Sequence, residues 1–331
     1  MRDNLRVLAV TNIWPVGDSF RGIFVKEQVE ALRRLSHHVD VELVAQERGK
    51  ADYLLAAQRV RRRVRAGRYD VVHIHYGMTA ISALFAPGVP KVLSLYGSDI
   101  NIGWQRLLTR IGMRGVGARI YVSENLAVNA NDPQGHIIAD GVDFTLFTPG
   151  DRAAARASLG IQGQEKAILF GGHPDNWVKG YDVFSDVLTE LRLRGIDARE
   201  LVLAAPNQPR EHVPRKFDAA DAMLFTSRKG SEGSPSVIKE ATAMGLPVIS
   251  VNVGDAVKLL DGVVPGEIVD FPEPWGTDDA RAKLIRLLAD RTADVLAAGT
   301  RSNGRERNRW LDAQQAARQV VEVYRQVLSD V

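Results

Sequence analysis

Short apolar runs rich in Val, Ile and Leu recur from one end of this chain to the other, and almost every one gives way to a longer stretch with helical spacing. This alternation constrains the fold more than any other feature. A strand that leaves through a helix and returns to the same sheet comes back parallel, and a parallel sheet is covered by helices on both faces. In the first half the pattern predicts strands at Arg6–Thr11, Val39–Val44, Tyr69–His75, Lys91–Tyr96, Arg119–Val122 and His136–Ala139. A helix at Val25–Arg34 sets Val25, Val29 and Leu32 on one face. A second series of strands follows at Ala167–Phe170, Glu200–Ala204, Ala222–Phe225, Pro247–Val251 and Glu267–Val269.

Between the two series the pattern pauses at Phe144–Glu165, where Pro149, Gly150, Gly160 and Gly163 bracket one short helix, Arg152–Ser158. A length of 331 residues also suits two domains. The fold class is therefore α/β, with two Rossmann-like, doubly wound domains over residues 1–148 and 149–311. Ligands of such sheets bind beyond the carboxyl ends of the strands, so the two domains are expected to face one interdomain cleft. Residues 312–331 carry an apolar stripe of Ala313, Ala317, Val320, Tyr324 and Val327, as of a helix that packs back on the N-terminal domain.

The chain contains no cysteine, which excludes disulfides, thiolate metal sites and cysteine nucleophiles. No run approaches the roughly 18 apolar residues of a membrane span. The strand-like Leu5–Ile13 begins almost at once, so no export signal and a cytoplasmic location are expected. Charge is uneven: residues 1–150 hold 19 Lys+Arg against 14 Asp+Glu, and the remainder 24 against 26. In the basic half Arg59, Arg61, Arg62, Arg63, Arg65 and Arg68 crowd one stretch. They read as a solvated helix face, or as attraction to an anionic membrane on its inner face or to a phosphate-bearing acceptor. No aromatic-interleaved basic motif accompanies them, and nucleic acid is not an expected partner.

The strongest chemical signal is Ser231-Glu232-Gly233-Ser234-Pro235-Ser236-Val237-Ile238-Lys239-Glu240, followed by Ala241, Gly245, Leu246, Pro247 and Val248. The first carboxylate falls in the loop after the strand Ala222–Phe225, and the second lies in a helix that Ser234 or Ser236 caps and Pro235 starts. Exposed amides at such a helix start bind a diphosphate. Glu240 is placed to accept hydrogen bonds from paired ribose hydroxyls, and Glu232 to face a transferred sugar; the plain alternative is a cap and a solvated glutamate. His73 and His75 share a strand face and read as structural or substrate-facing rather than as a metal pair. His37 and His38 read as solvated, and Trp14, Phe20 and Trp104 as core packing first and acceptor stacking second. No G-x-G-x-x-G follows the first strand, and Gly171–Gly180 is no P-loop.

The Glu232–Glu240 segment resembles the E-x7-E signature of retaining GT-B glycosyltransferases, in particular the large family 4 (group 1), in its form EGxPxxxxEAxAxGxPV. Arg21-Gly22-Ile23-Phe24-Val25, Asp70–His75, Leu95-Tyr96-Gly97-Ser98-Asp99, Asp140–Asp143 and Lys179-Gly180-Tyr181-Asp182 follow the same template in order, over nearly the whole chain. The resemblance is nearest to members that assemble cell-surface polysaccharides, often on lipid-linked acceptors. It implies a GT-B fold and retaining transfer of a hexosyl group from a nucleoside diphosphate sugar to a hydroxyl acceptor, with no metal and no cofactor beyond the donor.

It also implies roles. Gly22 lets the backbone approach the donor phosphates, and Lys179 neutralises the diphosphate leaving group. Glu232 positions the donor sugar, the backbone of Gly233, Ser234, Pro235, Ser236 and Val237 holds sugar and phosphate, and Glu240 binds the ribose. Arg21, His75, Tyr96 and Asp99 belong to the acceptor side, and base recognition to the loop Pro206–Arg215. His173 stands where members carry Arg and is a weaker phosphate clamp. Tyr96 replaces the His of His-Gly-x-Asp, and four residues rather than two separate Ser227 from Glu232. The changes at Tyr96 and His173 keep open a non-catalytic homologue serving as a scaffold, and the shared fold keeps open a sugar-nucleotide epimerase.

Overall fold

A computed structural model of the chain describes residues 4–17, 20–44, 48–49, 51–84, 86, 88–204 and 209–330. The chain splits into two compact units, Met1–Asp143 with Leu311–Val331, and Phe144–Trp310.

The first unit is built on β1 (Arg6–Thr11), β2 (His38–Leu43), β3 (Val71–His75), β4 (Lys91–Leu95), β5 (Ala118–Tyr121) and β6 (His136–Ile137), all parallel, in the order β2-β1-β3-β4-β5-β6. The chain moves from β1 outward to β2 and then returns to the far side of β1, so strand order reverses between β1 and β3. Val7 and Ala9 of β1 point to one core and Leu8 and Val10 to the other, which is why the run is apolar throughout rather than alternating. Helices Ile23–Arg34 and Ala313–Ser329 cover the first face, and helix Asp52–Gly67 with Ala80–Ala83 covers the second. Leu32, Val320 and Tyr324 are fully or almost fully buried there; each such side chain contributes about 1.5–3 kcal/mol. The last helix is brought to this core at Gly141, where a Cβ would lie 2.4 Å from Ala313 Cα, and Ala313 N–H donates to the Val142 carbonyl at 2.9 Å.

The second unit holds β7 (Lys166–Phe170), β8 (Ala198–Val202), β9 (Ala222–Phe225), β10 (Val248–Val251) and β11 (Gly266–Val269), parallel in the order β11-β10-β9-β7-β8. Here the order reverses between β7 and β9. The stretch Phe144–Glu165 is folded onto this unit. Arg305 donates to the Phe144 carbonyl at 3.0 Å, Gly150 N–H to Asp218 Oδ1 at 2.9 Å, and Arg152 pairs with Asp221 at 2.6 Å. Asp151 caps the helix Arg152–Ser158 by accepting from Ala154 N–H at 3.0 Å.

Three readings are corrected. His37 is buried rather than solvated, because its Nδ1 accepts the Leu5 N–H at 3.1 Å where the chain tucks under the start of β1, and burial lowers its pKa. Trp104 is exposed, not packed in the core. Arg59 and Arg63 are not merely solvated: Arg59 pairs with Asp52 and Glu42 at 2.7 Å each, and Arg63 with Glu42 at 3.2 Å, which binds helix Asp52–Gly67 to β2. No helix among the described residues is long and apolar enough to cross a membrane.

Candidate functional site

In the second unit the loops at the reversal of strand order follow β7 and β9. The first carries Lys179 to Gly180, which adopts φ +67°; a Cβ on it would lie 2.1 Å from the Thr226 carbonyl oxygen, just past β9. Glycine alone permits that approach, and the Thr226 hydroxyl secures it by donating to the Gly180 carbonyl at 2.9 Å. Lys179 Nζ consequently reaches Glu232 Oε1 at 2.7 Å, and the Ser227 hydroxyl donates to the same oxygen at 2.7 Å. The residues that lengthen this loop, Arg228–Ser231, close as a turn with Ser231 N–H on the Arg228 carbonyl at 3.1 Å. Glu232 therefore returns to Ser227, and the added length does not separate it from the lysine. His173 does not join this pair: its exposed ring turns to the local loop, where Nδ1 accepts from Asp175 N–H at 3.3 Å.

Beyond Glu232 the helix Ser236–Ala243 starts with Pro235 at the capping position and no side-chain cap. The expectation that Ser234 or Ser236 caps it is corrected, since the Ser234 hydroxyl donates instead to buried Asp255 Oδ2 at 2.8 Å and Ser236 is already helical. Burial raises the Asp255 carboxyl pKa, with Lys239 opposing. Gly233 sits against Gly254, where a Cβ would lie 2.8 Å from the Gly233 carbonyl oxygen. Val237 packs on Gly171 at the end of β7, its methyls 3.0 Å from where a Cβ would stand. One turn further, buried Glu240 accepts from Arg210 Nη2 at 2.7 Å, and the Arg210 guanidinium lies 4.7 Å from the Phe147 ring centroid. Arg210 was not singled out from the sequence; the signal available was an arginine within the expected base-recognition loop Pro206–Arg215, of which 206–208 lie outside the described residues.

In the first unit the corresponding loops follow β1 and β3. Gly22, at φ +78°, starts helix Ile23–Arg34, and a Cβ there would lie 2.5 Å from the Ile13 carbonyl carbon. Exposed Arg21 precedes it. Asp99 is buried and accepts from the backbone N–H groups of Gly97 at 2.8 Å, Tyr96 at 3.1 Å and Gly77 at 3.3 Å. Burial raises its pKa and those donors oppose the rise. Its carboxylate organises the turn that ends β4 at Leu95, one residue short of the expected strand. His75, the last residue of β3, lies with Nδ1 2.6 Å from the Tyr96 hydroxyl, and the Tyr96 ring packs 4.8 Å from that of Phe24. Burial lowers the His75 pKa to about 3, so it is neutral.

The family described as Glycosyl transferases group 1 matches residues 196–307, and Glycosyltransferase Family 4 matches residues 22–146. Among curated proteins the chain is similar to the D-inositol 3-phosphate glycosyltransferase of Segniliparus rotundus, 25% identical over 296 residues, 72% of this chain and 63% of that protein. It is likewise similar to the D-inositol 3-phosphate glycosyltransferase of Mycolicibacterium gilvum, 29% identical, over 64% of this chain and 58% of that protein. The chain spans about three fifths of the length of these relatives. Among solved structures, sucrose-phosphate synthase from Thermosynechococcus elongatus superposes with a TM-score of 0.79 at 18% identity, covering 99% of this chain and 100% of that one. Anabaena HepE in complex with UDP-glucose superposes with a TM-score of 0.67 at 18% identity, with the same coverage. At such identities the likeness concerns the fold.

Proposed function

The chain belongs to the group 1, family 4 glycosyltransferases and has their GT-B fold, and from that premise we propose that it moves a hexosyl group from a nucleoside diphosphate sugar to a hydroxyl acceptor, with retention and without a metal. One observation carries the proposal: Lys179 and Glu232, from two separate loops, meet at 2.7 Å beside the uncapped start of helix Ser236–Ala243. Helix amides and a lysine are the donors a departing diphosphate needs. In this reading a bound diphosphate draws Lys179 to itself and leaves Glu232 to the hexosyl hydroxyls. Glu240, oriented by Arg210, takes the ribose, with the backbone of Gly233–Val237 between them. UDP-glucose is a natural first donor to try, since a protein of this fold was solved with it.

The acceptor is a sugar or polyol, free or lipid-linked, in polysaccharide or glycolipid assembly. A contact with anionic membrane is supported by helix Gly103–Met113, where Trp104, Leu107 and Ile111 are 57%, 64% and 47% exposed. Exposed Arg110 and Arg114 flank that stripe, and residues 100–123 contain no Asp or Glu. An apolar stripe edged by arginine suits a helix lying in a lipid interface.

The test is thermal stabilisation by UDP, GDP, ADP and TDP and their sugar conjugates, because a ligand of the folded state stabilises by RT ln(1 + [L]/Kd). Nucleotide-specific stabilisation, absent in Glu240→Ala, followed by a product of unchanged anomeric configuration, is the expected result. No stabilisation by any nucleotide favours a scaffold, and a changed sugar with no acceptor favours an epimerase.

A further inference from the structure

Arg228 opens the stretch that makes the loop after β9 longer than the family pattern, and its side chain reaches back over the loop of Lys179. Its guanidinium stands 5.0 Å from the Trp177 ring centroid, and Nη2 donates to Asp182 Oδ1 at 2.6 Å. Trp177 comes two residues before Lys179 and Asp182 three residues after it, so one side chain grips the segment on both sides of the lysine. Asp182 is held in turn by Arg281 of helix Asp278–Ala298 at 3.3 Å. The main chain of Arg228 repeats the connection. Its N–H donates to the Val178 carbonyl at 2.9 Å, and its carbonyl accepts from Ser231 N–H at 3.1 Å and from the Ser231 hydroxyl at 2.6 Å. Arg228 thus touches the residue before Lys179 and the residue before Glu232.

This arrangement does little for the fold as a whole. Trp177 is 72% exposed, and an ion pair to a half-exposed carboxylate adds little to global stability. What it fixes is the place from which Lys179 reaches out. The lysine stem is flexible, so the position of its ammonium depends on the backbone at 178–180 staying still while the side chain changes partner. His173 turns to its own loop, and of the two expected phosphate clamps Lys179 alone stands at Glu232. We propose that Arg228 is a positioning residue for Lys179 and Glu232. Stacked on Trp177 and paired with Asp182, it holds the two loops together, so that the ammonium passes from the carboxylate to a bound diphosphate without movement of either loop. The diphosphate rests on the transferase reading above; the hold on Lys179 does not.

Two measurements on the full chain test it. Competitive acetylation of lysines with acetic anhydride, read by mass spectrometry, follows Lys179 without any ligand. In Arg228→Ala, Lys179 is expected to label about threefold faster, while Lys166, at the opposite end of β7, is unchanged. Equal labelling of Lys179 in the variant and the wild type overturns the proposal. Calorimetric titration with UDP, or with whichever of GDP, ADP and TDP the wild type binds, then measures the coupling. Arg228→Ala is expected to weaken binding about fivefold in the wild-type background and less than about twofold in Lys179→Ala, because residues that act through one another are not additive. Equal losses in the two backgrounds overturn positioning through Lys179. Trp177→Ala removes the platform under the guanidinium and is expected to give a similar loss that adds nothing to that of Arg228→Ala. Lys229, in the same turn, pairs with Glu273 instead, and Lys229→Ala is expected to bind as the wild type does. A loss in Lys229→Ala as large as in Arg228→Ala overturns the assignment to Arg228. Failure of the wild type to bind any nucleotide sinks the transferase reading, while the labelling rates still decide whether Arg228 holds Lys179.

Discussion

Gly180 and Thr226 approach so closely that one added carbon on the glycine would stand 2.1 Å from the threonine carbonyl oxygen. This contact joins the loop of Lys179 to the strand that leads to Glu232. Gly180→Ala combines a left-handed backbone with that clash and is expected to destabilise the chain by about 1–3 kcal/mol in urea unfolding. Nucleotide stabilisation should fall further than in a surface variant of equal stability. Unchanged nucleotide binding would show that the loop junction does not set the site.

Lys179→Ala and Glu232→Gln should part company. Removing the cation is expected to weaken nucleoside diphosphate binding by about 1.5–3 kcal/mol, the range of a charge-assisted hydrogen bond. Glu232→Gln frees the lysine from its partner at 2.7 Å, so binding of the bare diphosphate should hold or tighten while turnover is lost. Calorimetric titration with UDP distinguishes the two.

Arg210 and Glu240 form a largely buried pair at 2.7 Å. Arg210→Ala strands a carboxylate and is expected to cost about 1–3 kcal/mol of stability, below the range for fully buried pairs because the arginine is partly exposed. The double variant Arg210→Ala with Glu240→Gln should recover part of that loss in urea unfolding, whereas neither protein regains the nucleotide response.

His73 and His75 are buried neutral, with pKa values pushed below the ordinary 6.5, that of His75 to about 3. Their contribution is therefore complete above pH 6.5 and is lost as pH falls, because the unfolded chain binds protons that the native one refuses. Each histidine adds a slope of about 1.4 kcal/mol per pH unit below that point. Urea midpoints across this acid range should shift less steeply in His75→Gln.

Leu107→Glu with Ile111→Glu is expected to abolish flotation with vesicles containing anionic lipid while leaving thermal stability near wild type, since both side chains are exposed. Arg59→Ala should instead lower stability, because that guanidinium already holds Asp52 and Glu42. Equal flotation of the Leu107/Ile111 variant and the wild type would remove the membrane contact.

Much of this protein is legible locally. Every expected strand is present to within a few residues, and the helices Arg152–Ser158 and Ala313–Ser329 lie where their spacing puts them. Glu232 and Glu240 stood out because glycine, proline and acid at fixed spacing serve a loop and a helix start, and Lys179 through the family resemblance. Less was legible where a side chain finds a distant partner. Ser234 looked like a cap and serves Asp255; Asp99, which the resemblance puts on the acceptor side, holds three backbone N–H groups that no spacing announces.

The amino-acid sequence by itself determined the layers of this protein, since apolar runs bounded by helical spacing leave a parallel sheet as the solution that buries both faces. It also determined the residues that need glycine or a charge. Only the tertiary structure decided which groups meet, because Lys179 with Glu232, Arg210 with Glu240, and His73 with Tyr324 come together through strand order and loop closure. Periodicity reports which way a side chain faces; it carries no record of what stands opposite.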